Sequence, residues 1–104
     1  MNLKHPFSQE DRYLFFDAQH ECWICGGNQQ MELHHICGRK SSSPLNGAPL
    51  CKECHNKIGH SESEEKMLFA KTLKYLTRNQ YVITEKDYDF INNYQRLHQV
   101  VFEG

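Results

Sequence analysis

Apolar positions recur at helical spacing at both ends of the chain and thin out in the middle. Ser8-Gln9-Glu10-Asp11 offers a serine cap followed by acids in the first turn. It predicts a helix over 8–20 that buries Tyr13, Leu14, Phe15 and Phe16. Ser61-Glu62-Ser63-Glu64 repeats that signature, and the helix after it places Phe69, Leu73 and Leu76 on one face with Ala70 beside them. Lys66, Lys71 and Lys74 take the other face. Thr84-Glu85-Lys86-Asp87 caps a last helix with Phe90, Ile91, Tyr94, Leu97 and Val101 on its buried side. The middle reads differently. Met31 to Ile36 alternates loosely and predicts a short strand. Residues 37–47, with Gly38, three serines, Pro44, Asn46 and Gly47, predict a loop. Ala48 to Cys51 is a brief second strand whose Pro49 requires an edge or a strand start. A short helix follows from Cys51 to about Ile58, and Tyr81-Val82-Ile83 is β-prone.

The 104 residues suit one domain, 1–104, with no repeat and no low-complexity tract. A domain of this size buries a modest share of its surface and is often stapled. No apolar run approaches the roughly 20 residues that span a bilayer, so no membrane partner is expected. Met1 to Phe7 lacks a signal peptide's apolar core, which makes the cytoplasm the expected compartment and reduced cysteines the expected state. The net charge of -1 does not advertise nucleic-acid binding, but its distribution says more. Residues 1–33 carry two basic and five acidic side chains, and 61–104 carry six and seven. Residues 34–60 carry Arg39, Lys40, Lys52 and Lys57 against Glu53 alone. The one net positive stretch is the one rich in histidines, and local charge governs contact with phosphates.

Cys22-x-x-Cys25 and Cys51-x-x-Cys54 are the strongest chemical signal. A two-residue spacer lets one knuckle offer two sulfurs to one ion, and Gly26-Gly27 lets the backbone turn tightly around it. Two such pairs complete the tetrahedron of a structural zinc. Cys37 is left over and reads as a small buried hydrophobe or a competing ligand.

Leu33-His34-His35-Ile36, then Asn46, then Leu50-Cys51-x-x-Cys54-His55 together resemble the HNH endonuclease family, the ββα-metal nucleases. Cys pairs upstream and in the helix, as here, recur in that family. The resemblance covers 22 to about 60. It implies an α+β fold with a small ββα-metal core (His-Me finger, treble-clef-like) and a zinc knuckle at 22–60. Flanking that core are the N-terminal helix and a helical extension over 61–104. It further implies hydrolysis of DNA phosphodiesters, with His35 as general base and Asn46 holding the loop and orienting the His35 ring. His34 and His55 would be ligands of a catalytic magnesium, manganese, nickel or zinc ion. His60, freed by Gly59, would be a third ligand. Arg39, Lys40, Lys52 and Lys57 would meet the DNA backbone, and a homodimer or a recruiting protein would supply further affinity. Many small stand-alone proteins of this kind are similar to phage or mobile-element products. His5, His20 and His98 read as surface or packing residues.

Each of these residues also has a plainer reading. His34 and His35 suit an ordinary strand surface, Asn46-Gly47 is a common turn pair, and His55 suits a zinc ligand or a solvated helix position. A zinc-stapled adaptor without catalysis would explain the four cysteines and leave the histidines as coincidences. A structural subunit would use the C-terminal helices, with Tyr75, Tyr81, Tyr88 and Tyr94 as its exposed surface.

Overall fold

The computed structural model describes residues 7–16, 21–38 and 41–97. Among these residues are four α-helices and one two-stranded antiparallel sheet: α1 Gln9–Phe16, β1 Met31–His35, β2 Gly47–Cys51, α2 Lys52–Lys57, α3 Glu62–Arg78 and α4 Glu85–Asn93. Short 3-10 turns occupy Pro44–Asn46 and Gln95–Leu97. This is the mixed α and β architecture the sequence predicts. The ladder pairs Met31 with Cys51, Leu33 with Pro49 and His35 with Gly47. With two strands each is an edge, so Pro49 is tolerated, and its carbonyl accepts the Trp23 amide at 3.0 Å. Among the described residues no helix is long and apolar enough to cross a membrane.

α1 starts at the predicted serine, whose Oγ accepts the Asp11 amide at 3.0 Å. Its inward face differs from the expected one. Phe15 is fully buried and Asp11 nearly so, four residues apart on one side. Tyr13 therefore points outward, 56% exposed, correcting its placement in the core. Phe15 stacks on Tyr75, whose hydroxyl donates to the Leu14 carbonyl at 2.6 Å.

α3 carries the capping box read from Ser61 and Glu64. Its buried stripe is Glu65, Leu68, Phe69, Thr72 and Leu76, while Leu73 is half-buried and Ala70 exposed. The stripe rotates because Thr72 has a polar task inside. Its Oγ1 accepts Trp23 Nε1 at 2.8 Å and donates to the Gly47 carbonyl at 2.7 Å. That relay ties the first cysteine knuckle and the start of β2 to α3. Residues 81–84 form no strand. Instead Tyr81 and Thr84 turn to the fully buried Asp87 carboxylate, which accepts the Tyr81 hydroxyl at 2.7 Å, the Thr84 amide at 2.8 Å and the Ser43 hydroxyl at 2.6 Å. Phe90, Ile91 and Leu97 close the core against Leu45, Ile36 and Phe69. Tyr94 is half-buried, and Val101 lies outside the described residues.

The tyrosines do not assemble an exposed patch. Tyr75, Tyr81 and Tyr94 are half-buried with hydroxyls on Leu14, Asp87 and Cys37, and of the four proposed for such a surface Tyr88 is the exposed one.

Candidate functional site

Two groups of ligand-type side chains flank the sheet. The first is the cysteine set. Cys22, Cys25, Cys51 and Cys54 bring their sulfurs within 4.8 Å of one another. Each knuckle is built by backbone amides aimed at sulfur. Ile24 and Cys25 donate to Cys22 Sγ at 3.4 and 3.5 Å, Gly27 donates to Cys25 Sγ at 3.4 Å, and Cys54 donates to Cys51 Sγ at 3.5 Å. Gly26, at φ +79, makes the turn that closes the first knuckle. Cys51 serves three structures at once: it ends β2, caps α2 and offers its sulfur. Burial opposes ionisation of Cys22, yet the amides of Cys25, Cys51 and Ile24 outweigh it and hold that thiol down at about 6. Cys54 is pushed up to about 12, first by its contact with Cys51 and then by burial. Thiolates crowded this closely need a dication to ionise together, so the donor set fits a structural metal such as zinc. Cys37 stands apart from the four, packed against the core, with its amide on Asn46 Oδ1 at 2.8 Å.

The second group is the histidines. A cavity of about 220 Å³ is lined by Leu33, His34, His35, Gly38, His55, Ile58 and His60. A larger one, about 380 Å³, lies beside the sulfurs and includes no histidine. His34 is 5% exposed, and its Nε2 has no hydrogen-bond partner. The His55 ring stands edge-on to it at 5.0 Å between centroids, and the His60 ring is tilted by 35° at 5.3 Å. These rings are less tightly drawn together than the sulfurs, which among the described residues are the group meeting within 4.8 Å. Burial, then the neighbouring His55, His60 and His35, push His34 down to about 4, so at neutral pH it is an uncharged imidazole.

Two of these rings are held from behind. His55 Nδ1 meets Glu32 Oε1 at 2.5 Å, and His60 Nδ1 meets the Ile36 carbonyl at 3.1 Å. Both contacts leave Nε2 as the free ring nitrogen, and partners of this kind fix the tautomer of metal-binding histidines. His60 reaches the site because α2 ends at Lys57 and the Glu64 carboxylate accepts the Gly59 and Ser61 amides on either side of it, at 3.1 and 3.3 Å. The Ser61 hydroxyl, followed by those amides, holds the Glu64 carboxyl below the usual range.

Asn46 is fully buried and clamps the loop after β1. Its Nδ2 donates to the Gly38 and Ser41 carbonyls at 3.0 Å each, and its Oδ1 accepts the Cys37 amide. It holds the chain that follows His35, its amide bonded to the backbone of that loop. His35, the last residue of β1, lines the histidine cavity and stacks on Phe7.

The basic residues divide. Lys57 is exposed and pairs with Glu53 at 3.5 Å, and Lys52 lines the cavity beside the sulfurs. Arg39 and Lys40, like His5, His20 and His98, lie outside the described residues. Sequence reasoning missed Glu32, although a strand period of two places it on the face of His34. It also missed Phe7, for which the sequence holds no signal. No protein-family model matches the chain, and no curated protein or solved structure matches it.

Proposed function

We propose that this chain is a metal-dependent endonuclease of the HNH type, built on a ββα-metal core formed by β1, β2 and α2. The observation that carries the reading is the buried, unpartnered His34 Nε2, on a ring that lies beside two further imidazoles whose Nδ1 atoms are already engaged. A buried polar atom without a partner is costly, and three convergent imidazoles are a normal way to hold a divalent cation. His34, His55 and His60 would hold it, with magnesium, manganese, nickel and zinc as the ions to compare. When bound, such an ion neutralises phosphate charge and stabilises the departing oxygen.

The chain's own residues do the rest. His35 takes a proton from water, whose oxygen forms the new bond to phosphorus while one ester P–O bond breaks. Asn46 keeps the loop after His35 closed. Lys52 and Lys57, with Arg39 and Lys40, are assigned to the DNA backbone, where they orient the duplex and read little sequence. With so few cations the expected activity is nicking of weak specificity, aided by dimerisation or a recruiting partner.

The test is supercoiled plasmid incubated with protein stripped of loosely held metal, each ion being restored in turn, with His35→Ala alongside. Ion-dependent nicking that drops to a small residual rate in the variant is the expected result. An intact, zinc-loaded fold that cuts nothing with any ion returns the chain to the adaptor reading.

A further inference from the structure

We propose that Phe7 is a positioning residue for the His35 ring, seated in space that Gly47 leaves open, so that the segment before α1 completes the site. The inference rests on the nuclease reading above. In the ladder His35 stands opposite Gly47. Gly47 has φ -102 and ψ 140, extended backbone that any residue adopts, so conformation does not explain the glycine. Space does. A Cβ at Gly47 would lie 3.3 Å from Phe7 Cζ, 3.2 Å from Leu33 Cδ1 and 3.3 Å from the Pro44 carbonyl oxygen. The place beside His35 that a cross-strand side chain would occupy is taken by an aromatic ring from far away in sequence.

That ring is 5% exposed and lies nearly parallel to the imidazole, with centroids 4.1 Å apart and planes 19° from one another. An imidazole's terminal torsion has broad wells, so its plane is fixed by what packs against it. Phe7 covers one face of the ring. The nitrogens bond in the ring plane, which a stack on the ring face does not cover, and His35 lines the cavity. Asn46 holds the backbone after His35, Phe7 holds its plane, and neither touches the proton.

Nuclear magnetic resonance on the zinc-loaded full chain reads the stack directly. Cross-relaxation between the Phe7 and His35 ring protons is expected, with the His35 signals identified by their loss in His35→Gln. In the nicking assay Phe7→Leu should lower kcat by about 10–100-fold while leaving KM unchanged, the scale of a misplaced reacting group. In a His35→Ala background the same change should leave the residual rate where it was, because Phe7 acts through His35. Gly47→Ala should weaken the ring contact and lower kcat in the same way. Absence of ring-to-ring cross-relaxation in the wild type overturns the proposal, and this readout stands even if Phe7→Leu fails to fold. So does a wild-type kcat in Phe7→Leu, or an equal loss with and without His35. A wild type that nicks no plasmid under any ion refutes the nuclease reading separately, and the resonance result still decides whether Phe7 holds His35.

Discussion

Asp87→Ala should cost about 3–5 kcal/mol and loosen the site from a distance. Asp87 is fully buried, and its carboxylate accepts four hydrogen bonds: from the Ser43 hydroxyl, the Tyr81 hydroxyl, and the Thr84 amide and hydroxyl. Their losses differ with access to water. Ser43 is 1% exposed, so its hydroxyl loses a charged acceptor that nothing nearby replaces, at about 1.5–3 kcal/mol. The Thr84 amide loses a helix cap, at about 1 kcal/mol. Tyr81 is half-buried and turns to water, which limits its share to about 0.5–1 kcal/mol. Urea unfolding of zinc-loaded protein measures the total. A double-mutant cycle with Ser43→Ala should return a coupling of about 1–3 kcal/mol. The Ser43 carbonyl accepts the Asn46 amide at 2.8 Å, and its Oγ accepts the Leu45 amide at 3.1 Å. Losing Asp87 should therefore speed hydrogen exchange at the Cys37 amide, which is bonded to Asn46 Oδ1. A change within 1 kcal/mol of wild type, or zero coupling to Ser43, refutes this account of how α4 holds the loop.

Glu32→Ala should weaken cobalt binding at the histidine cluster about 10–100-fold while the cysteine zinc stays bound, measured by calorimetry, because His55 loses the partner that sets its tautomer. His34→Asn should flatten the acid side of the stability curve. An unfolded chain protonates this histidine near 6.5 and the folded chain only near 4, so metal-free wild type is stable above pH 6.5 and loses about 3 kcal/mol relative to the variant as pH falls to 4. Cys54→Ser should abolish stoichiometric zinc and lower the melting temperature of the whole chain, read by metal analysis and circular dichroism, since one sulfur fewer opens the shell that joins β2 to the first knuckle.

Local signals were the legible ones. The two cysteine pairs, the capping box at Ser61 and Glu64, and Pro49 at an edge each depend on neighbours within a few residues, and the structure realises all three. The tyrosine on α1 and the stripe on α3 misled, because two polar residues, Asp11 and Thr72, face inward and turn their helices. Periodicity assigns polar residues outward by default and cannot see Trp23, 49 positions from Thr72, waiting to bond it. Tyr81 to Ile83 had strand chemistry but no strand beside it to pair with. At the histidine cluster, His34, His35, His55 and His60 line one cavity, while Asn46 holds the loop behind it. The groups that hold them, Glu32 across to α2, Phe7 from before α1 and Glu64 beneath His60, come from contacts that only the folded chain creates.

Trp23, the chain's sole tryptophan, follows Cys22 directly and bonds Thr72 on the neighbouring helix while leaning on Tyr75. The molecule therefore contains its own optical gauge, placed at the joint between knuckle and helix. Its emission reports whether that joint is shut, with no dye and no label. A titration that loads the cysteines should move this signal; one that loads only the histidines, across the sheet, should leave its wavelength still.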